Sequence, residues 1–168
     1  MNTSVPRRSA VLGAVGALAA ATLTVAEPAS ANPKPGDDNP AQIQRQHNKR
    51  AAVAFLDLAF NKKEPQAAVD RYVGAQFIQH NPLAADGAAA FVAYVKWATT
   101  QSPELNFDFK RVFGENDLVA VHYHRTLSAT DRGAAVMDIF RFEKGKIVEH
   151  WDVIQDVPET SANDNTMF

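Results

Sequence analysis

The chain has 168 residues, 46% hydrophobic and 21% charged, with a formal net charge of −2 and no cysteine. That length accommodates one domain with a real core and not two. The near-neutral balance gives no electrostatic case for nucleic acid, and the lack of cysteine excludes disulfides, thiolate zinc sites and cysteine nucleophiles.

Residues 1–31 read as an address. Arg7-Arg8 precedes SAVLGAVGALAAATLTV, a run of small apolar residues, and Ala29-Ser30-Ala31 follows. This is the charged, apolar, small-residue order of a cleavable export signal, and the paired arginines point to the twin-arginine route. The alternative is a retained anchor, since Ser9 to Ala26 is just long enough to span, but the run is weakly hydrophobic and ends at a cleavage site, so no stable membrane association is expected once the signal is removed. Residues 32–40, NPKPGDDNP, are expected to be a disordered linker.

The domain is expected over residues 41–158. From Ala41 to Asn61 apolar residues recur at helical spacing, and the second half is nearly all apolar. Pro65 opens a second, short helix through about Tyr72, and Gly74 is expected to stop it. Gln76 to Gln79 reads as a short strand, closed by His80-Asn81-Pro82. Asp86 is the expected N-cap of a third helix, Gly87 to about Thr100, with Phe91, Val92, Val95 and Trp97 or Ala98 available to the core.

After Pro103 the period changes to two. Leu105–Phe113, Leu118–Leu127, Ala134–Phe142 and Ile147–Val157 read as four strands joined by short turns, hence antiparallel. The tail, residues 159–168, has no pattern and is expected to be disordered. Helices followed by strands define an α+β fold, helices packed on one face of a curved sheet, with a pocket between them suited to a small-molecule ligand.

The last hairpin carries the chemistry. Around Lys144-Gly145, Asp138, Phe140 and Phe142 alternate on one strand, and His150 and Asp152 alternate with Trp151 on the next. A strict two-residue turn pairs Asp138 with Trp151 and places Asp152 on the opposite face. One extra residue, for instance a bulge at Gly145, pairs Asp138 with Asp152 and brings His150 to the same side. Sequence alone leaves both registers open.

FIQHNP (Phe77 to Pro82) and DIFRFEKGKIVEHWDVIQ (Asp138 to Gln155) resemble the SnoaL-like polyketide cyclase family of the nuclear transport factor 2-like superfamily. The resemblance spans about Ala41 to Pro158. It implies a cone-shaped α+β fold with an internal cavity, a homodimer formed through the outer sheet face, and the register that pairs the two aspartates. It also implies a catalytic carboxylate at Asp152, a cavity position for Asp138, and His80 as the histidine of the first motif. The implied chemistry is intramolecular aldol closure or isomerisation with no cofactor and no metal. Such a reaction needs a base beside a carbonyl and a donor for the enolate oxygen, and a carboxylate in a dry cavity both takes and returns protons.

His124 and His150 are candidate orienting residues, with His124 opposite Asp138 if the preceding loop pairs symmetrically. His122 shares the face of His124, and the pair is the alternative for a metal site with a third ligand. Trp151, Phe140 and Tyr72 are candidate substrate contacts. Tyr72 and Tyr123 both carry a hydroxyl able to hold an oxyanion, and the sequence selects neither over packing. A non-catalytic binding protein with the same cavity is the rival reading.

Overall fold

The computed structural model describes residues 39–168, all within the unit Gly36–Phe168. The expected signal at residues 1–31 and nearly all of the linker lie outside the described residues. Helix α1 spans Pro40–Leu56. It begins inside the expected linker because Asn39 accepts the Ala41 N–H at 3.0 Å and Pro40 occupies the first turn, where its missing N–H is no loss. A π-helical turn, Asp57–Asn61, follows. Asn61 clamps this turn to the sheet, donating to the Phe107 carbonyl at 3.0 Å and accepting the Phe107 N–H at 2.8 Å.

Helix α2, Pro65–Tyr72, runs directly into β1, Val73–Gln79. Helix α3 covers Ala88–Gln101. The expected N-cap is not formed: Gly87 precedes α3 at φ 92°, while Asp86 accepts the Gln79 N–H at 2.7 Å. An N–H at the end of an edge strand needs a partner, and Asp86 is committed to it.

The sheet continues with β2 (Asn106–Glu115), β3 (Leu118–Thr126), β4 (Ala134–Glu143) and β5 (Lys146–Asp156). Its order is β1-β5-β4-β3-β2. The expected antiparallel meander accounts for four strands, and β1 joins β5 as a parallel fifth. β4 alternates strictly: Ala134, Val136, Asp138, Phe140 and Phe142 are buried, and the residues between them are half-buried. Helices therefore cover one face, the α+β arrangement read from the sequence.

The register at the last hairpin is the one that pairs Asp138 with Asp152 and Phe140 with His150. The extra residue is not at Gly145. Lys144 and Gly145 have φ of 50° and 77°, a two-residue turn that pairs Glu143 with Lys146. The slip falls between Arg141 and Phe142, which pair with Glu149 and Ile147 and leave Val148 as the bulged residue. Two consecutive side chains, Ile147 and Val148, are thereby both buried.

The aromatic core lies between the helices and the sheet. Phe60 stacks on Phe107 at 4.3 Å, Phe107 on Tyr123 at 4.5 Å, and Phe55 on Phe91 at 4.9 Å. Each such pair contributes about 0.5–1.5 kcal/mol beyond the area it buries. The tail beyond Asp156 carries no helix or strand, and its Phe168 ring lies 4.3 Å from His124 on the outer sheet face. No helix of the described residues is long and apolar enough to cross a membrane.

Candidate active site

A cavity of about 530 Å³ opens between α1, α3 and the covered sheet face. Phe55, Leu56, Phe60, Phe91, Phe107 and Phe140 supply its apolar wall. Polar groups enter from β1, β3, β4 and β5, and include Asp138, His150 and Asp152, each offering one ligand-type atom within 4.8 Å of the others. The bulge at Val148 sets this convergence, because a slip of one residue would turn Asp152 to the outer face.

Asp138 is almost fully buried, at 3% exposure. The Tyr123 hydroxyl donates to its Oδ2 at 3.0 Å, and His150 Nε2 lies 3.5 Å from its Oδ1. Burial first, and then the charge of Asp138, push the Tyr123 phenol well above its ordinary value of 10.0, so it remains a neutral donor.

Two backbone N–H groups fix the orientation of the rest. Asn81 N–H donates to Gln79 Oε1 at 2.9 Å, which makes that atom an acceptor. His150 Nδ1, 2.9 Å from the same oxygen, must therefore carry a proton. In the neutral ring this leaves Nε2 bare at 3.5 Å from Asp138 Oδ1, a contact that becomes favourable when either atom carries a proton. Leu83 N–H donates to Asn81 Oδ1 at 2.8 Å, so Asn81 Nδ2 is the group that donates to Asp152 Oδ2 at 2.6 Å. Among the described residues no other hydrogen bond or ion pair reaches Asp152. Rings of Phe140 (5.0 Å) and Phe77 (6.3 Å) hold the imidazole of His150.

Of the residues singled out from the sequence, Asp152, Asp138, His150, Phe140 and Tyr123 line the cavity together. Five do not. His80 points outward, stacks on Trp151 at 4.6 Å and bonds Glu149 Oε1 at 2.8 Å through Nε2. Trp151 is on that outer face because it alternates with His150 and Asp152 and pairs with Ile139. His122 and His124 are also outside: β3 turns Val119, Val121, Tyr123 and Arg125 inward and the histidines outward. His124 pairs with Ala135 and not with Asp138, its Nε2 meets the Arg132 carbonyl at 2.7 Å, and His122 Nδ1 lies 3.2 Å from Arg111. Tyr72 packs at the end of α2 with the Arg71 guanidinium 5.4 Å from its ring. On the outer face, hydrogen bonds from Arg141 and then His80 hold the Glu149 carboxyl below its ordinary value.

Metal-ligand spacing is therefore absent from the His122–His124 pair as the sequence suggested it. Among the described residues it is present in Asp138, His150 and Asp152, a set that suits one divalent cation as well as one shared proton. The sequence did not single out Gln79, Asn81 or Arg125 as cavity residues, and it left Tyr123 undecided between oxyanion donor and packing. The signal was there: Gln79 and Asn81 flank His80 at strand spacing, and the apolar side of β3 is marked by Val119 and Val121.

Residues 52–150 match the SnoaL-like domain family, and the chain belongs to it. Similar solved structures share the fold. A candidate polyketide cyclase from Bacillus cereus is 18% identical with a TM-score of 0.59, over 69% of this chain and 80% of that one. An NTF2-like protein of unknown function from Mesorhizobium loti is 19% identical with a TM-score of 0.55, over 67% and 93%. AclR, a candidate hydroxylase from Streptomyces galilaeus, is 20% identical with a TM-score of 0.52, over 68% and 82%. At these identities the likeness is one of fold. No curated protein matches the chain.

Proposed function

We propose that this SnoaL-like protein binds a small, largely apolar carbonyl compound and moves a proton beside its carbonyl without a cofactor, as an aldol cyclase or isomerase. The observation that carries this reading is the convergence of Asp152, Asp138 and His150 in one aromatic-walled cavity. Asp152, tethered by Asn81 through one oxygen, takes the proton from the carbon next to the carbonyl. The proton held between His150 Nε2 and Asp138 Oδ1 is given to the developing enolate oxygen. In isomerisation Asp152 returns its proton to a different carbon. In aldol closure the enol carbon attacks a second carbonyl, and Asp152 protonates the resulting alkoxide; in both reactions the enol oxygen gives its proton back to the His150–Asp138 pair as the carbonyl re-forms. Positioned acid–base groups of this kind typically contribute about 10²–10⁴-fold in rate.

His80, the expected third partner, is replaced in this scheme by Asn81 and His150. Arginine does not lock either aspartate: Arg141 is engaged by Glu143 and Glu149 on the outer face. The export reading of Arg7-Arg8 and the following apolar run belongs to the same proposal, as does a homodimer through the outer sheet face, where Val153 is 67% exposed.

The test is a mass-spectrometric comparison of small molecules that co-purify with the wild-type chain and with Asp152→Asn. An unconverted compound retained by the variant, and its cyclised or isomeric product of equal mass from the wild type, is the expected result. The same species in the same ratio from both would make the protein a non-catalytic binder with this cavity.

A further inference from the structure

Arg125 is a half-buried cation lining this cavity, near the charge of Asp131 but in no ion pair with it. It lies on the inward side of β3, two residues beyond Tyr123, and lines the same cavity as Asp138 and Asp152. Its Nε is buried and has no hydrogen-bond partner, and no carboxylate lies within ion-pair distance of its guanidinium among the described residues. Arg141 shows the usual outcome, with its guanidinium held by two carboxylates. Asp131, the acid of the neighbouring loop, has both oxygens committed to the N–H groups of Leu127 and Gly133. A guanidinium brought against apolar wall and left unpaired is costly unless something else completes it.

We propose that Arg125 binds a carboxylate of the ligand, so that the substrate class is a small, largely apolar carbonyl compound that also carries an acid group. This rests on the reading of the cavity as the ligand site. The planar guanidinium matches a carboxylate through two parallel hydrogen bonds. A dianionic phosphate suits the site less well, because Asp138 and Asp152 share the cavity and would repel it. Arg125 pairs with Ala134, four residues before Asp138 on β4, which separates the two backbone positions by about 13 Å at strand rise. The acid group therefore binds towards the Ala134 end of β4, and holding it there is how Arg125 would select which carbon faces Asp152.

The full chain is titrated, by intrinsic fluorescence and by calorimetry, with 2-naphthoic acid, its methyl ester and 2-naphthyl phosphate as probes. The expected result is that the wild type binds the acid at least tenfold more tightly than the ester. Arg125→Gln should bring that ratio to near one while keeping the ester within threefold, and Arg125→Lys should keep part of the preference. Equal affinity of the wild type for acid and ester, or a ratio unchanged in Arg125→Gln, overturns the anchor and leaves the cavity reading standing. Tighter binding of the phosphate than of the acid overturns the carboxylate assignment. Failure of all three probes to bind the wild type overturns the cavity reading and the anchor with it. If Arg125→Gln does not fold by circular dichroism, the acid-to-ester ratio of Arg125→Lys decides.

Discussion

Gln79 Oε1 faces His150 Nδ1 at 2.9 Å while already accepting a backbone N–H, and this single contact sets the tautomer of the imidazole. The first strand thus dictates where the proton sits on the last one. Gln79→Leu should remove that control while keeping the volume. Two-dimensional nitrogen NMR of the His150 ring is expected to show a proton fixed on Nδ1 in the wild type and no longer confined to Nδ1 in the variant. Turnover should fall about 10–100-fold, the scale of a lost orienting partner. An unchanged ring spectrum would show that the rings of Phe77 and Phe140 suffice.

Tyr123 gives the pH dependence its sign. Its folded-state value is raised, so its contribution to stability is fully present below the ordinary value of 10.0 and is lost as pH rises through the folded value. Of the three tyrosines, Tyr123 should therefore ionise only with unfolding, seen as a step in tyrosinate absorbance that coincides with loss of far-ultraviolet circular dichroism. Tyr123→Phe should abolish that coincidence. The variant also leaves Asp138 Oδ2 without its donor, a loss of about 1–3 kcal/mol in denaturant unfolding.

Gly133 closes the loop that leads from β3 to β4. At φ 75° it lies in the left-handed region, and a Cβ there would fall 2.1 Å from the Arg125 carbonyl and 2.6 Å from His124 Nε2. Backbone conformation alone costs about 1–2 kcal/mol in Gly133→Ala, and the carbonyl contact adds to it, so a total of about 3 kcal/mol or more is expected. Chemical denaturation measures it. Gly87, also at positive φ, has open space around it and should tolerate alanine with the backbone cost only.

The spacing of Asp138, His150 and Asp152 calls for a test of metal. Protein dialysed against a chelator is expected to retain its co-purifying ligand and its turnover, because the proposed chemistry uses a shared proton. Loss of turnover on dialysis, restored by one divalent cation per chain, would convert the same three side chains from proton carriers to ligands.

Much of the architecture was legible because alternation is strict where it matters. Val136, Asp138 and Phe140 mark one face of β4, and the acid hairpin could be found from that pattern and from the family motif together. The exact seat of the bulge was not legible: Lys144-Gly145 forms a complete two-residue turn, so the extra residue had to fall elsewhere, and nothing in KIVEH singles out Val148. His80 was misplaced for a different reason. It is the titratable residue of FIQHNP, but strand alternation delivers its amide neighbours, Gln79 and Asn81, to the cavity. The same preference for imidazoles favoured His122 and His124 over Tyr123 and Arg125, although Val119 and Val121 already declared which side of β3 is apolar. The distant pairing of β1 with β5 has no local signal at all, since it joins segments about seventy residues apart in sequence.

That pairing has a consequence for how the chain is made. Gln79 and Asn81 emerge early from the ribosome, whereas His150 and Asp152 are among the last ordered residues to be synthesised. A chain interrupted before Lys146 could assemble helices and a three-stranded meander yet would possess only Asp138 of the three groups proposed to handle protons. Competence therefore arrives in one late event, when the two ends of the domain close on each other, and such long-range closure is a slow step in folding.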